Sequence, residues 1–224
     1  METSAGMPSG FRSQVSGFLL PPNSPPAFRP WAPARACKLA GMNPPPSLTA
    51  MPHTLFPTAF GTCGIAWNDT GLTGFQLPED NEALTGQRLA DKARTQPAAG
   101  ALPSWVEATI ARVQQHLAGR MQDFSDVPLE WSRVSDFQQA VYRHALEIRP
   151  GYKKSYGEIA KLMALGNEAA RAVGVALATN PWPLIVPCHR VVSAGDKMTG
   201  FSAPGGIRTK TRLLVLEGAE LLSE

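Results

Sequence analysis

The sequence predicts a mixed α/β fold: a small sheet-bearing segment followed by a helical segment with the outline of a helix-turn-helix. Three observations carry this expectation. From Thr54, the run TLFPTAFGTCGIAWNDTGLTGFQL consists of short apolar stretches broken by Gly and by Asn-Asp, the pattern of hairpins. From Ser155, SYGEIAKLMALGNEAARAVGVALATNP divides into two short helical stretches joined by a turn containing Gly. Hydrophobic residues make up 43% and charged residues 17% of the 224 positions, enough for one large or two small cores and too apolar for disorder throughout.

The elements follow in chain order. Residues 1–52 hold eleven of the 21 prolines and lack sustained periodicity, so a disordered, Pro-rich extension is expected. That segment reads either as a targeting peptide, which its prolines suit poorly, or as an extension upstream of a true start at Met42 or Met51. Residues 54–130 form an expected first domain with hairpins at its start, in which Cys63 reads as a small buried core residue. Residues 79–103 are polar and read as a loop or a ragged helix. Ser104 then caps a helix marked by Trp105, Ile110, Val113 and Leu117. Residues 126–131, DVPLEW, read as a strand or connector. Residues 135–220 form the expected second domain. Its first helix carries Phe137, Val141 and Leu146 and stops at Pro150-Gly151, with His144 on it as a surface or core polar residue. Ser155 and Glu158 have capping-box spacing, so a helix starts at Tyr156 and ends at Leu165-Gly166. Asn167 caps the next helix, which runs to about Ala178 before Asn180-Pro181. On that helix Ala169, Val173, Ala176 and Leu177 gather on one side, while Arg171 points outward among Asn167, Gly174, Val175 and Ala178. A solvated arginine and a nucleic-acid contact both fit that position.

Composition narrows the function classes. No apolar run approaches the ~20 residues of a membrane span, so a soluble protein is expected. Cys37, Cys63 and Cys188 form an odd set without a C-x-x-C pair, which argues against a disulfide framework and a four-thiolate zinc site and suggests a reducing compartment. Nor do Cys37, His53 and Cys63 have spacing that suggests a structural metal. The formal charge is +3 over residues 1–53, −3 over 54–134 and +3 over 135–224, so the last segment is the one suited to a polyanion.

The chemistry concentrates in NPWPLIVPCHRVV, residues 180–192. A thiol ionises near pH ~8.5, and apolar surroundings make the thiolate harder to form, so Cys188 needs a base. His189 is adjacent, but neighbouring side chains in extended chain point to opposite faces, so a turn after Pro187 or a bridging water is required. A base is usually oriented from behind by a carboxylate. Glu217, four residues after Leu213 and three after Leu214, sits with the apolar face of the last helix rather than with Lys210 and Arg212, near a C-terminus whose dipole disfavours an anion.

N-P-x-P-x-x-x-P-C-H-R-V, preceded by A-R-A-V-G and followed by a Gly-rich stretch and L-L-x-x-E-G, resembles the O6-alkylguanine-DNA alkyltransferases, also called methylated-DNA–protein-cysteine methyltransferases. The resemblance is dense over residues 137–218, diffuse over 54–130 and absent over 1–52. It implies an N-terminal α/β, ribonuclease-H-like domain and a C-terminal winged helix-turn-helix. It further implies that Cys188 accepts the alkyl group, that His189 is the base acting through water, that Glu217 orients it, and that Asn180 braces the active-site loop. Tyr156 would protonate the departing guanine and promote flipping, Arg171 would fill the gap in the base stack, and Arg190 would make a structural contact. Gly174 lies on the small-residue face that approaches the minor groove, and Phe201 and Ser202 match the lid over the flipped base. The stretch TGFSAPGG, 199–206, departs from the family by carrying Phe201 in place of a tyrosine and an Ala-Pro insertion. The implied activity is single-use transfer of an alkyl group from O6-alkylguanine, and from O4-alkylthymine, in double-stranded DNA, with no cofactor and no metal. A monomer in the cytoplasm, associated with the nucleoid, is expected, or one in an organelle or nucleus if residues 1–52 are a targeting segment. The alternative is a damage-binding or winged-helix regulatory protein that transfers nothing.

Overall fold

The computed structural model describes residues 51–196 and 200–219, so Cys37, the bulk of the expected extension and part of the expected wing lie outside the described residues. Met51 and Pro52 belong to the first strand rather than to that extension. The described residues fall within one compact unit, Pro46–Glu224.

The hairpins expected from Thr54 are present. Strands β1 (Met51–Thr58), β2 (Gly61–Trp67) and β3 (Leu72–Gln76) form an antiparallel meander, and the sheet order is β3-β2-β1-β4. The β2–β3 turn is built by Asn68, whose Oδ1 accepts from the backbone N–H of Thr70 and of Gly71 at 3.0 Å each. Residues 79–103 are more regular than their polarity suggested. Helix α1 (Glu82–Ala93) is capped by the Asn81 side chain and leads into β4 (Thr95–Pro97), which pairs parallel to β1. The sheet admits α1 closely because it presents glycine. A Cβ on Gly64 would lie 2.7 Å from the Leu89 side chain, and one on Gly74 3.2 Å from Ala93 Cβ.

Helix α2 (Ser104–Leu117) packs Val106, Val113 and Leu117 into the core. Ser104 is its first helical residue, not its cap: Pro103 occupies the cap and supplies no side-chain hydrogen bond. Residues 126–131 act as a connector that pairs with β3 only through Leu72 and Leu129. Helix α3 (Asp136–Leu146) begins with a capping box of Ser135 and Gln138, which its sequence spacing also encodes. Phe137, expected on its buried stripe, is instead 37% exposed.

A two-residue parallel pairing joins β5 (Lys154–Ser155) to β6 (Val191–Val192). The Ser155–Glu158 capping box starts α4 (Tyr156–Leu162), which stops three residues earlier than expected. Asn167 opens a single tight turn rather than capping α5 (Ala170–Ala178). On α5 the inward stripe is Val173, Ala176 and Leu177, with Ala169 only partly buried and Arg171 exposed. Helix α6 (Ile207–Leu216) closes the described chain.

These elements share one apolar core. Phe56, Ile65, Phe75 and Val113 from the first half touch the same continuous cluster as Tyr142, Ile159, Trp182 and Leu213 from the second. Trp182 is the bridge: its indole N–H donates to the Leu72 carbonyl at 2.7 Å, and its ring meets Trp131 and Tyr142 edge-on. A second bond, from Phe75 N–H to the Pro181 carbonyl at 2.8 Å, fixes the 180–192 loop to the outer edge of β3.

Candidate active site

The loop carrying Cys188 is set by its own sequence. Asn180 braces it at both ends, donating from Nδ2 to the Val186 carbonyl at 3.0 Å and accepting from Trp182 N–H at 2.9 Å. Leu184 adopts a left-handed conformation (φ 78°) although it carries a side chain, and it is fully buried, so packing holds a backbone geometry that a leucine ordinarily avoids. Pro187 then leads into one tight turn, Cys188–Arg190. This is the turn that the adjacency of thiol and imidazole required.

Cys188 is only 7% exposed. Burial pushes its thiol up, while the Asn180 side chain, the cation of Lys210 and the backbone N–H groups of Cys188 and His189 oppose that shift. Lys210 was unforeseen. Grouped with the polar face in the sequence, it is fully buried and donates to the Val191 carbonyl at 2.6 Å, with its ammonium 5.8 Å from the Tyr156 ring. The reason is simple periodicity: positions 210, 213, 214 and 217 form one helical stripe, so Lys210 shares the inward face with Glu217. Burial lowers its ammonium to about 8, and only the charge of Cys188 pulls the other way.

Behind the thiol lies a buried hydrogen-bonded cluster. His189 Nε2 meets Glu217 Oε1 at 2.9 Å, and because a carboxylate can only accept, the imidazole proton is on Nε2. Its Nδ1 is therefore the basic atom. That atom has no protein partner among the described residues, so a direct bond to Cys188 is not made. Arg190 donates from Nε to Glu217 Oε2 and from Nη2 to Oε1, both at 2.8 Å, and from Nη1 to the Ile148 carbonyl at 2.5 Å. The structural contact expected of Arg190 is thus a two-point clamp on the orienting carboxylate. A further donor comes from outside the expected set: His116 of α2 meets Glu217 Oε1 at 3.0 Å and is fully buried. Its signal in the sequence was its spacing from Val113 and Thr109 on the buried stripe of α2. Burial is the largest influence on Glu217 and pushes it up, but the hydrogen bonds from His116, His189 and Arg190 together hold the carboxyl far below the usual range. Burial pushes His189 down, with Glu217 opposing.

In front of the thiol is an open cavity of about 530 Å³. Tyr156, Arg171, Gly174, Cys188, Phe201 and Ser202 all line it. Six of the ten residues given roles from the sequence therefore meet at one surface, while His189, Arg190 and Glu217 form the buried cluster and Asn180 braces the loop that carries the thiol. The segment leading into Tyr156 is tied by backbone to the strand that follows the Cys188 turn, since Lys154 pairs with Val191 and Ser155 with Val192. Gly174 leaves room beside it: a Cβ there would lie 3.8 Å from the Tyr156 ring. The other cysteine among the described residues behaves as expected, with burial pushing Cys63 up to about 12 against a weaker effect of Thr58. No group of three or more His, Cys, Asp or Glu among the described residues is arranged to hold a metal ion. No described helix is long and apolar enough to cross a membrane.

Residues 136–219 match the family described as the DNA binding domain of 6-O-methylguanine DNA methyltransferase. The chain is similar to the methylated-DNA–protein-cysteine methyltransferase of Mycobacterium tuberculosis strain H37Rv, with 44% identity over 115 residues, covering 51% of this chain and 67% of that one. With the protein of that name from Mycobacterium leprae the identity is 36% over 158 residues, covering 69% and 92%. The fold is similar to that of Mycobacterium tuberculosis OGT in complex with DNA, at 33% identity and a TM-score of 0.60, covering 75% of this chain and 92% of that one.

Proposed function

Since the chain belongs to the methylated-DNA–protein-cysteine methyltransferase family, we propose that it reverses DNA alkylation directly, with Cys188 as the single-use acceptor. The observation that carries the assignment of Cys188 is its position between two surfaces: a cavity open to solvent in front and a buried imidazole–carboxylate pair behind. DNA is the partner. The lesions are O6-alkylguanine and O4-alkylthymine, and the protein acts as a monomer in the cytoplasm.

The steps follow from the groups present. A base flipped into the cavity brings its alkyl carbon to Cys188. The thiol proton passes through a bridging water to Nδ1 of His189, and Glu217 stabilises the imidazolium through Nε2–H. A sulfur–carbon bond forms as the carbon–O6 bond breaks, and the electron pair of the broken bond enters the purine. Tyr156 supplies a proton to the purine ring and so improves the leaving group. A thioether does not hydrolyse, so each molecule reacts once. Damage binding without transfer is the weaker reading, because it leaves Cys188, His189 and Glu217 without a task.

Incubation with duplex oligonucleotide containing O6-methylguanine should add one methyl group per chain, located on Cys188 by peptide mass measurement. Cys188→Ala should give no transfer. Methylation at another residue, or transfer by Cys188→Ala at the wild-type rate, would sink the assignment. Parallel reactions with O4-methylthymine test the lesion range, and sedimentation of the protein alone tests the monomer.

A further inference from the structure

We propose that His116 is a positioning residue of the proton relay, holding the Glu217 carboxylate where it accepts from His189, so that the sheet-bearing half of the chain takes part in alkyl transfer. This rests on the reading of Cys188, His189 and Glu217 given above.

The argument begins with hydrogen positions. The backbone N–H of Gln122 donates to His116 Nδ1 at 3.1 Å. An amide can only donate, so Nδ1 carries the lone pair and the proton is on Nε2. That proton points at Glu217 Oε1, 3.0 Å away. Both histidines therefore present Nε2–H to the same carboxylate oxygen, from α2 on one side and from the Cys188 turn on the other. The His116 ring is itself held, lying against Phe124 with 5.4 Å between ring centroids. Glu217 follows the last turn of α6, a position free to swing unless several donors fix it. Arg190 grips both carboxylate oxygens and His116 closes a third direction. Besides Glu217, His189 and Arg190, charged groups near this cluster include Asp123, Glu147 and Arg149, which line a cavity of about 760 Å³ that reaches Arg190 and Glu217, and Arg112, whose guanidinium lies over the Phe124 ring.

A consequence for the acid limb of the reaction follows. Without the His116 donor, the carboxylate has one hydrogen bond fewer to stabilise its charge and becomes more basic. It then holds the His189 imidazolium more tightly, and the base fills with protons at higher pH. The aim of His189 Nδ1 toward the thiol loosens at the same time.

His116→Phe keeps a ring against Phe124 and removes the donor, whereas His116→Gln keeps an N–H at similar reach. Single-turnover methyl transfer to O6-methylguanine DNA should be about tenfold slower in His116→Phe, the lower end of what losing such an outer partner costs. Its acid limb should move to higher pH, and His116→Gln should restore both rate and limb. Rates are taken on the fraction of protein that reacts, so partial unfolding does not mimic the effect. An unchanged pH profile in His116→Phe, or a rate that His116→Gln fails to restore, overturns the proposal. If His116→Phe does not fold, nitrogen-15 spectra of the wild-type histidines decide: a proton on Nε2 of His116 supports the proposal and one on Nδ1 overturns it. Absence of transfer by the wild-type protein would instead defeat the parent reading, so the two failures are distinct.

Discussion

Lys210 puts an ammonium beside a buried thiol, and the two partly correct each other. Burial lowers the ammonium to about 8, and the same cation opposes the rise of the Cys188 thiol. Replacing it with methionine should leave the shape of the site and remove the charge. The expected outcome for Lys210→Met is transfer about tenfold slower at pH 7, equivalent to one unit of thiol pKa, with recovery as the pH rises toward 9. Single-turnover rates across that range, with thiolate absorbance as a second readout, would check it. At this scale the sequence was legible where side chains act alone and obscure where they share a partner. Cys188, His189 and Glu217 could be read from residue chemistry and resemblance. Lys210 and His116 could not, because each is a polar residue on a buried helical stripe, and nothing local says which buried acceptor it will meet across 19 residues to Val191 or 101 to Glu217.

In the proposed reaction, helix α5 and the loop that follows it are the elements that would meet the duplex. Arg171 is exposed on α5 while Val173 and Leu177 anchor the opposite side, so the guanidinium is presented by a rigid rod rather than by a loop. If Arg171 fills the gap left by a flipped base, its loss should matter only where there is a stack to fill. Arg171→Ala should therefore slow repair of duplex substrate by about tenfold or more and leave reaction with O6-benzylguanine as a free base nearly unchanged. Equal losses on both would remove the finger from the account. The boundaries of these elements were less legible than their existence. The capping box at Ser155 was read correctly because Ser and Glu at that spacing satisfy two backbone donors at once. The cap at Asn167 was not, since a tight turn intervenes, and at α1 a loop and a ragged helix both fitted the sequence because its apolar stripe is reduced to Leu89 and Ala93 beneath a polar surface.

Across the whole molecule, the relay is also a stability element with a direction in pH. Folded Glu217 titrates well below its unfolded value, so the stability it contributes is present above pH ~4.3 and is lost as the pH falls toward its folded pKa. Folded His189 is likewise lowered, so its contribution is present above pH ~6.5 and declines below that. Both act in the same sense. Thermal denaturation midpoints should fall steadily from pH 7 to pH 4, and Glu217→Gln should flatten the lower part of that decline; a midpoint that is constant or higher at pH 4 would contradict the assignment. The shared core could not be read from the sequence, because Trp182 shows only an aromatic among prolines and its bond to Leu72 spans 110 residues. The pairing of β5 with β6 has one more consequence. The segment leading into Tyr156 is tied by backbone pairing to the strand that follows the Cys188 turn, so side-chain substitution has little purchase on how these two segments sit, whereas Phe201 and Ser202 face the same cavity from a loop. The pocket thus has one wall that is conservative by construction and one that can drift. Adaptation to larger or smaller lesions has room to proceed at residues 200–206 while the chemistry on the opposite wall stays intact.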